Sequence, residues 1–543
     1  MTKRILTHGR IYTVNEAQPW AEAIVIDGNR IAFVGDNTSA LAYAGDGDSI
    51  EDLGGRFVMP GIIDGHVHPF MAICFNGLIR ISPADDLVTM QQRIAEFIAA
   101  HPDLNAYMGW GWNDSYFGAD GPVKADLDAV CADKPVTILS ASGHCGWCNS
   151  KALEAASVDK NTPDPDPSSS QVYIRDAEGN PTGYLKETAP TNHVLGAAEY
   201  IDMSILAKSA NWFADLCASY GITSLVDCGN FEFAERLMDE DLCAAFNDPA
   251  CPVRLCCSGK FANKANAQSA LDEAVRLRKK YNSDRVRCGF YKIINDGTAE
   301  NNSAAFPNPD PGTPKVLPVM SADELFHWGE QAAKAGLDLN VHSIGTLTVH
   351  ALLEAAGRLR AAGYDDLRIC CSHTGYVFPD DVAKFAEYNV TANSTAKWFC
   401  AEEDEATEKW ADNITQGLTY PMNSIRKAGG RLSLSSDYPT DLTALNPMLN
   451  FEIALTRQSA GDANWYINQP AERLTLDEVI KAYTINNAYL MRMEDRLGSL
   501  EPGKYADLII LDRNPFETGR YEIHEIKVVE SIMDGGTKYK SEE

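Results

Sequence analysis

The sequence predicts a mixed α/β chain: a (β/α)8 TIM barrel, a small β-sandwich domain built from both termini, and an inserted subdomain after the first barrel strand. Three observations predict it. From Gly221 onward, short apolar runs alternate with amphipathic stretches, the pattern of parallel βαβ units. Both ends of the chain instead carry short alternating runs bounded by turn residues. Between them, residues 65–220 break the alternation with Gly-, Trp- and Pro-rich segments. The domain reading is residues 1–57 plus 491–543 for the β-sandwich and 58–490 for the barrel, with the insertion at about 75–200.

The elements follow in order. "RILTHGRIYTV" and "AIVIDGNRIAFVG" alternate as strands do, and "DGNR" between two apolar runs reads as a hairpin turn. "RFVMPGIID" (56–64) reads as the first barrel strand. The insertion contains "MGWGWNDSYFG", the strand-like "PVTILSASGHCGW" and the loop "NTPDPDPSSS", and is expected to cover the barrel mouth as a lid. Seven further strands fall at 221–227, 252–259, 289–296, 338–345, 367–375, 389–395 and 431–437. Between the fourth and fifth, "SADELFHWGEQAAKAG" opens on a capping serine and closes at a glycine, as a crossover helix would. "ADLIILDRNPF" and "VVESIMDGGTKY" then return to the texture of the N-terminus.

A formal net charge of −29 argues against nucleic acid or an anionic membrane as partner, since both attract basic surfaces. The N-terminus lacks the apolar stretch of a signal peptide, and no run of about 18 apolar residues suggests a span. The expectation is a cytoplasmic protein whose 14 cysteines are reduced. Cys256–Cys257 and Cys370–Cys371 lie in strand-like runs and read as small hydrophobes. "HCGWC", with Cys145 and Cys148, has no second CxxC to complete a zinc site and no thioredoxin pattern around it.

Chemistry concentrates at strand ends. In "PGIIDGHVHP", His66 and His68 are two apart, so in a strand both rings face one side. Lys292 lies within the fourth strand, His342 ends the fifth, His373 the sixth and Asp437 the eighth. Each has a bland alternative: a satisfied core histidine, or, for Asp437, a turn residue or cap. Only 11 histidines occur in the chain, and a barrel gathers the C-terminal ends of its strands at one mouth, where catalytic groups sit. Imidazoles and carboxylates suit zinc, and also iron, manganese or nickel. A buried ammonium at Lys292 needs a partner or a chemical change; reaction with carbon dioxide would convert it to an anionic N6-carboxylysine.

The motifs "VMPGIIDGHVHP", "GWGWNDSYF", "SGHCGWCNSKALE", "GYLKETA", "YKIINDGTAE", "VHSIGTLTVHALLEA", "LSSDYP" and "LGSLEPGKYADLIILDRNPF" resemble, over nearly the whole chain, those of the amidohydrolase superfamily. The resemblance is narrower still to amidohydrolase family 3, the N-substituted-formamide-deformylase-like group. It implies one or two divalent metals, zinc first among them. His66 and His68 would hold the more buried metal with Asp437, carboxylated Lys292 would bridge, and His342 and His373 would hold the second. It also implies hydrolysis of a non-peptide C–N bond, of N-substituted amide or formamide type, by a metal-activated hydroxide. Asp437 would be the acid–base group and His144 would stabilise the oxyanion. Trp110, Trp112 and Trp147 are expected either to line the substrate pocket or to form the insertion's own core. The same scaffold also serves deaminases and cyclic-imide hydrolases, and a metal-free binding protein is a third reading. The partner is a small-molecule substrate, and a homodimer is the family expectation. One departure stands out: "KIINDGTAENNSAAF" lacks the Gly-rich continuation of relatives after the lysine.

Overall fold

The computed structural model describes residues 2–542 other than 76, 119, 201–202, 231–241, 309–312 and 401–413. Eight parallel strands position the site: β1 (Ile62–Val67), β2 (Ile222–Asp227), β3 (Arg254–Cys257), β4 (Phe290–Ile294), β5 (Asp338–Ser343), β6 (Ile369–His373), β7 (Val390–Thr395) and β8 (Leu432–Ser435). Every residue in them is buried. Strands covered on both faces lose the alternating pattern and read as continuous apolar runs.

The strands pair in chain order. β1, β2 and β3 form one sheet, extended by the short strand Val286–Cys288, and β4 to β8 form a second. Main-chain hydrogen bonds tie the sheets at both edges. The Asp437 N–H donates to the His66 carbonyl at 2.8 Å, and the His68 N–H to the Tyr438 carbonyl at 2.9 Å. On the other side, the Ala262 N–H donates to the Lys292 carbonyl and the Ile294 N–H to the Ala262 carbonyl. Crossover helices pack outside, including Ala322–Lys334, whose Ser321 and Glu324 form the expected capping box.

The first strand differs from its expected bounds. Residues Phe57–Pro60 pair with Leu508–Leu511 and Arg10–Tyr12 in a sheet drawn from both termini, and β1 begins only at Ile62. The switch falls at Gly61, whose N–H turns to the Asp507 carbonyl while the Ile62 N–H turns to that of Gly221. A side chain at 61 would collide with Thr223, so glycine lets the chain change sheets there. A second sheet, of Lys3–Thr7, Ala23–Asp27, Arg30–Gly35 and Ser49–Asp52, shares an apolar cluster with the first, including Leu6, Ile24, Val58 and Ile510. Between β1 and β2 in sequence lies a third, six-stranded sheet running from Ile79–Arg80 to Pro181–Lys186.

Candidate metal centre

β1 aims two imidazoles at one point. The His66 and His68 ring centroids are 5.2 Å apart. The carbonyl of Gly229, just past β2, lies 2.9 Å from His68 Nδ1 and ties that nitrogen as a donor. This leaves His68 Nε2 facing Asp437 Oδ1 at 3.3 Å, with His66 Nε2 3.1 Å from the same oxygen. Asp437 follows β8 in a left-handed backbone conformation (φ 54°), and His373 at the end of β6 does the same (φ 73°). Such conformations cost free energy in non-glycine residues and concentrate at functional sites. The cluster then continues as a chain of rings: His66 to His373 at 4.6 Å, His373 to His342 at 4.4 Å, and His342 to His144 at 5.0 Å.

His342, like His68, is oriented from behind. Asp296, two residues past β4, accepts from His342 Nδ1 at 3.0 Å and also takes the N–H groups of Ile344 and Gly345 and the hydroxyl of Thr348. His342 therefore keeps its Nε2 lone pair for the site, the arrangement that sets the tautomer of metal-binding histidines. Asp64 accepts the His66 and Ser436 N–H groups, stitching β1 to β8 beneath the ligands; burial pushes its carboxyl up to about 6. Lys292 is wholly buried below the rings and donates to Asn340 Oδ1 at 3.1 Å and Ser372 Oγ at 3.4 Å.

The donor set fits a divalent cation. Both His66 ring nitrogens and Asp437 Oδ1 are buried without a hydrogen-bond partner among the described residues, a costly state for polar atoms that a cation relieves. Ligand atoms of His66, His373 and Asp437 lie within 4.8 Å of one another. Burial lowers His66 to about 3 and also depresses His342 and His373, so these rings are neutral at pH 7 with lone pairs available. Burial alone would raise Asp437, but the neighbouring histidines outweigh it and hold the carboxylate ionised. Burial likewise lowers Lys292, favouring the neutral amine.

The insertion contributes His144, whose Nδ1 lies 2.7 Å from Glu187 Oε2. Burial disfavours charge on both, yet their attraction prevails, raising His144 and lowering Glu187. Two of the three tryptophans take the core role that the sequence left open. Trp112 and Trp147 are 1% and 0% exposed in the insertion's own apolar core, with their indole N–H groups donating to the Ile138 and Val123 carbonyls. They are large rings spent on holding the insertion together. Trp110 is also buried and belongs to the main core with Phe70 and Met71. Cys145 and Cys148 are fully buried too.

Sequence reasoning missed Asp296, Glu187 and Asp64. Asp296 stands in "YKIINDG", where Asp-Gly after a strand reads as a turn, and Glu187 in "GYLKETA". Asp64 precedes the histidine pair and was legible only as part of that motif.

The sequence profile of the amidohydrolase family matches residues 49–539, and the chain belongs to that family. Across 412 residues it is 30% identical to the exoenzymes regulatory protein AepA of Pectobacterium carotovorum subsp. carotovorum, covering 74% of this chain and 87% of that one. It is 24% identical to the N-substituted formamide deformylase of Arthrobacter pascens, over 99% of both chains. An uncharacterized metal-dependent hydrolase from Pyrococcus furiosus shares the fold at a TM-score of 0.69 and 22% identity, over 95% of this chain and 100% of that one. Among the described residues, no helix is long and apolar enough to cross a membrane.

Proposed function

We propose that this amidohydrolase cleaves a non-peptide C–N bond, of the N-substituted formamide type, with its two sheets closed into a (β/α)8 barrel whose mouth holds the site. The observation that carries the reading is Asp437 Oδ1 within 3.1 Å of His66 Nε2 and 3.3 Å of His68 Nε2, one carboxylate oxygen shared by two imidazoles. The full-length likeness to an N-substituted formamide deformylase supplies the substrate class.

In this reading His66, His68 and Asp437 would hold one divalent metal, zinc by its preference for nitrogen and oxygen donors, and His342 and His373 would hold a second. Metal bound there supplies Lewis acidity and brings the pKa of water toward neutrality. Asp437 accepts the proton released as water attacks the carbonyl and returns it to the leaving nitrogen. His144, anchored through Nδ1 by Glu187, turns its other nitrogen to the developing oxyanion. Lys292 is the N6-carboxylysine, formed when its neutral amine adds carbon dioxide and loses a proton. Native mass spectrometry showing no carbon dioxide adduct, lost on acidification, would remove that element. The free cysteines of the described residues fit a reducing cytoplasm.

The test is to load purified protein with Zn2+ or Mn2+ and follow formate release from N-phenylformamide and N-cyclohexylformamide. Formate release that disappears with chelation supports the proposal. Turnover confined to cyclic imides or amino-heterocycles would replace it with the corresponding reading, and metal-independent behaviour would end it.

A further inference from the structure

We infer that Trp398 is a specificity-determining residue that receives a planar aromatic substituent of the substrate. The inference rests on the proposed site. Trp398 lies in the 3-10 turn Ala396–Phe399 immediately after β7. Its ring centroid is 5.5 Å from that of His373, with the planes 32° apart.

A tryptophan in such a turn ordinarily buries its large surface in a core and gives its N–H to a carbonyl, as Trp112 and Trp147 do. Among the described residues, Trp398 does neither. It is half-buried and belongs to none of the apolar clusters, and its indole Nε1 has no hydrogen-bond partner among the described residues. The next residue, Phe399, takes the core position instead, packing on Tyr420 at 5.5 Å and under the Arg457 guanidinium. The turn is fixed from both sides: Asn450 Oδ1 accepts the Lys397 N–H at 3.0 Å, and Asn468 Nδ2 donates to the Phe399 carbonyl at 3.1 Å. These two hydrogen bonds thus hold a large aromatic face beside His373 and outside every apolar cluster of the described residues. Offset or edge-to-face partners are what such rings favour.

The experiment is isothermal titration of the full, metal-loaded chain with N-hydroxy-N-phenylformamide and N-hydroxy-N-methylformamide. Both present the same chelating oxygens and differ only in the ring. Wild type is expected to bind the phenyl compound about tenfold or more tightly. Trp398→Ala should erase that preference while leaving metal content and affinity for the methyl compound unchanged, and Trp398→Phe should retain most of it. A preference that survives in Trp398→Ala, or is absent in wild type, overturns the inference. Absence of formamide turnover in a protein that still shows the Trp398-dependent preference overturns the proposed reaction alone, and failure to bind either compound overturns both.

Discussion

Asp437 and His66 meet twice: the Asp437 N–H donates to the His66 carbonyl at 2.8 Å, and Asp437 Oδ1 lies 3.1 Å from His66 Nε2. The main-chain bond sets where the carboxylate can reach, so replacing the side chain should not displace β8. Asp437→Asn keeps the shape and removes the proton acceptor. Turnover is expected to fall by about 10²–10⁴-fold, the usual contribution of general acid–base catalysis. Metal content should stay near that of wild type, because the histidines remain. Steady-state kinetics with metal analysis on the same preparation check this; activity above a tenth of wild type would mean another group moves the proton.

Asp296 spends one oxygen on His342 Nδ1 and the Ile344 N–H, and the other on Gly345, Thr348 and Ala305. An amide at 296 would turn a donor toward some of these donors and loosen the ring. Asp296→Asn is expected to weaken metal affinity by roughly 10–100-fold, the cost typical of losing such a partner. Competition with a chromogenic chelator measures it. Asp381→Asn is the control: Asp381 supports His350 at 2.9 Å in the same manner, but away from the cluster, and should leave metal affinity unaltered.

How much of this was legible depends on whether a residue's role is local. The parallel strands could be read because burial on both faces writes itself as continuous apolar runs, and polar residues stand out against them at the ends. The side chains of His66, His68, His342, His373 and Asp437 do converge. The break at Gly61 was not legible, since both sides of it are equally apolar and only the pairing partners change. The roles of Trp112 and Trp147 could not be told from composition either, because a tryptophan serves a core or a pocket equally well. Glu187 acquires its part only when the insertion packs over β5, a contact no local pattern encodes.

The His144–Glu187 pair makes stability depend on pH in a defined direction. His144 is raised above its ordinary 6.5, so its contribution is complete below that value and is lost as pH rises through the folded value. Glu187 is lowered below its ordinary 4.5, so its contribution is complete above that value and is lost as pH falls through the folded one. The pair therefore stabilises most between pH 4.5 and 6.5. The melting temperature of metal-free wild type should exceed that of Glu187→Gln by the widest margin at pH 5.5, and the margin should shrink by pH 8.5. A margin that grows toward pH 8.5 would show that the two groups do not pair as charges.

Arg254 opens β3 at the end of the strand opposite the metal cluster, and it is 1% exposed. Its Nε and Nη2 donate to the Asp507 carboxylate at 3.1 and 3.3 Å, and Nη2 also donates to Asp534, so one guanidinium fastens the parallel strands to the sheet made from the termini. Asp507→Ala leaves that buried charge with half its compensation, which is expected to cost about 3–5 kcal/mol. A double replacement, Arg254→Met with Asp507→Leu, removes the charge together with its partner and should recover much of the loss, since apolar residues often replace buried pairs without penalty. Urea midpoints of the two variants distinguish these outcomes, and equal loss in both would mean that Arg254 contributes packing rather than charge. Because residues at the N-terminal face of such strands support stability while those at the C-terminal face do chemistry, kcat measured below the unfolding transition should be unchanged in both variants.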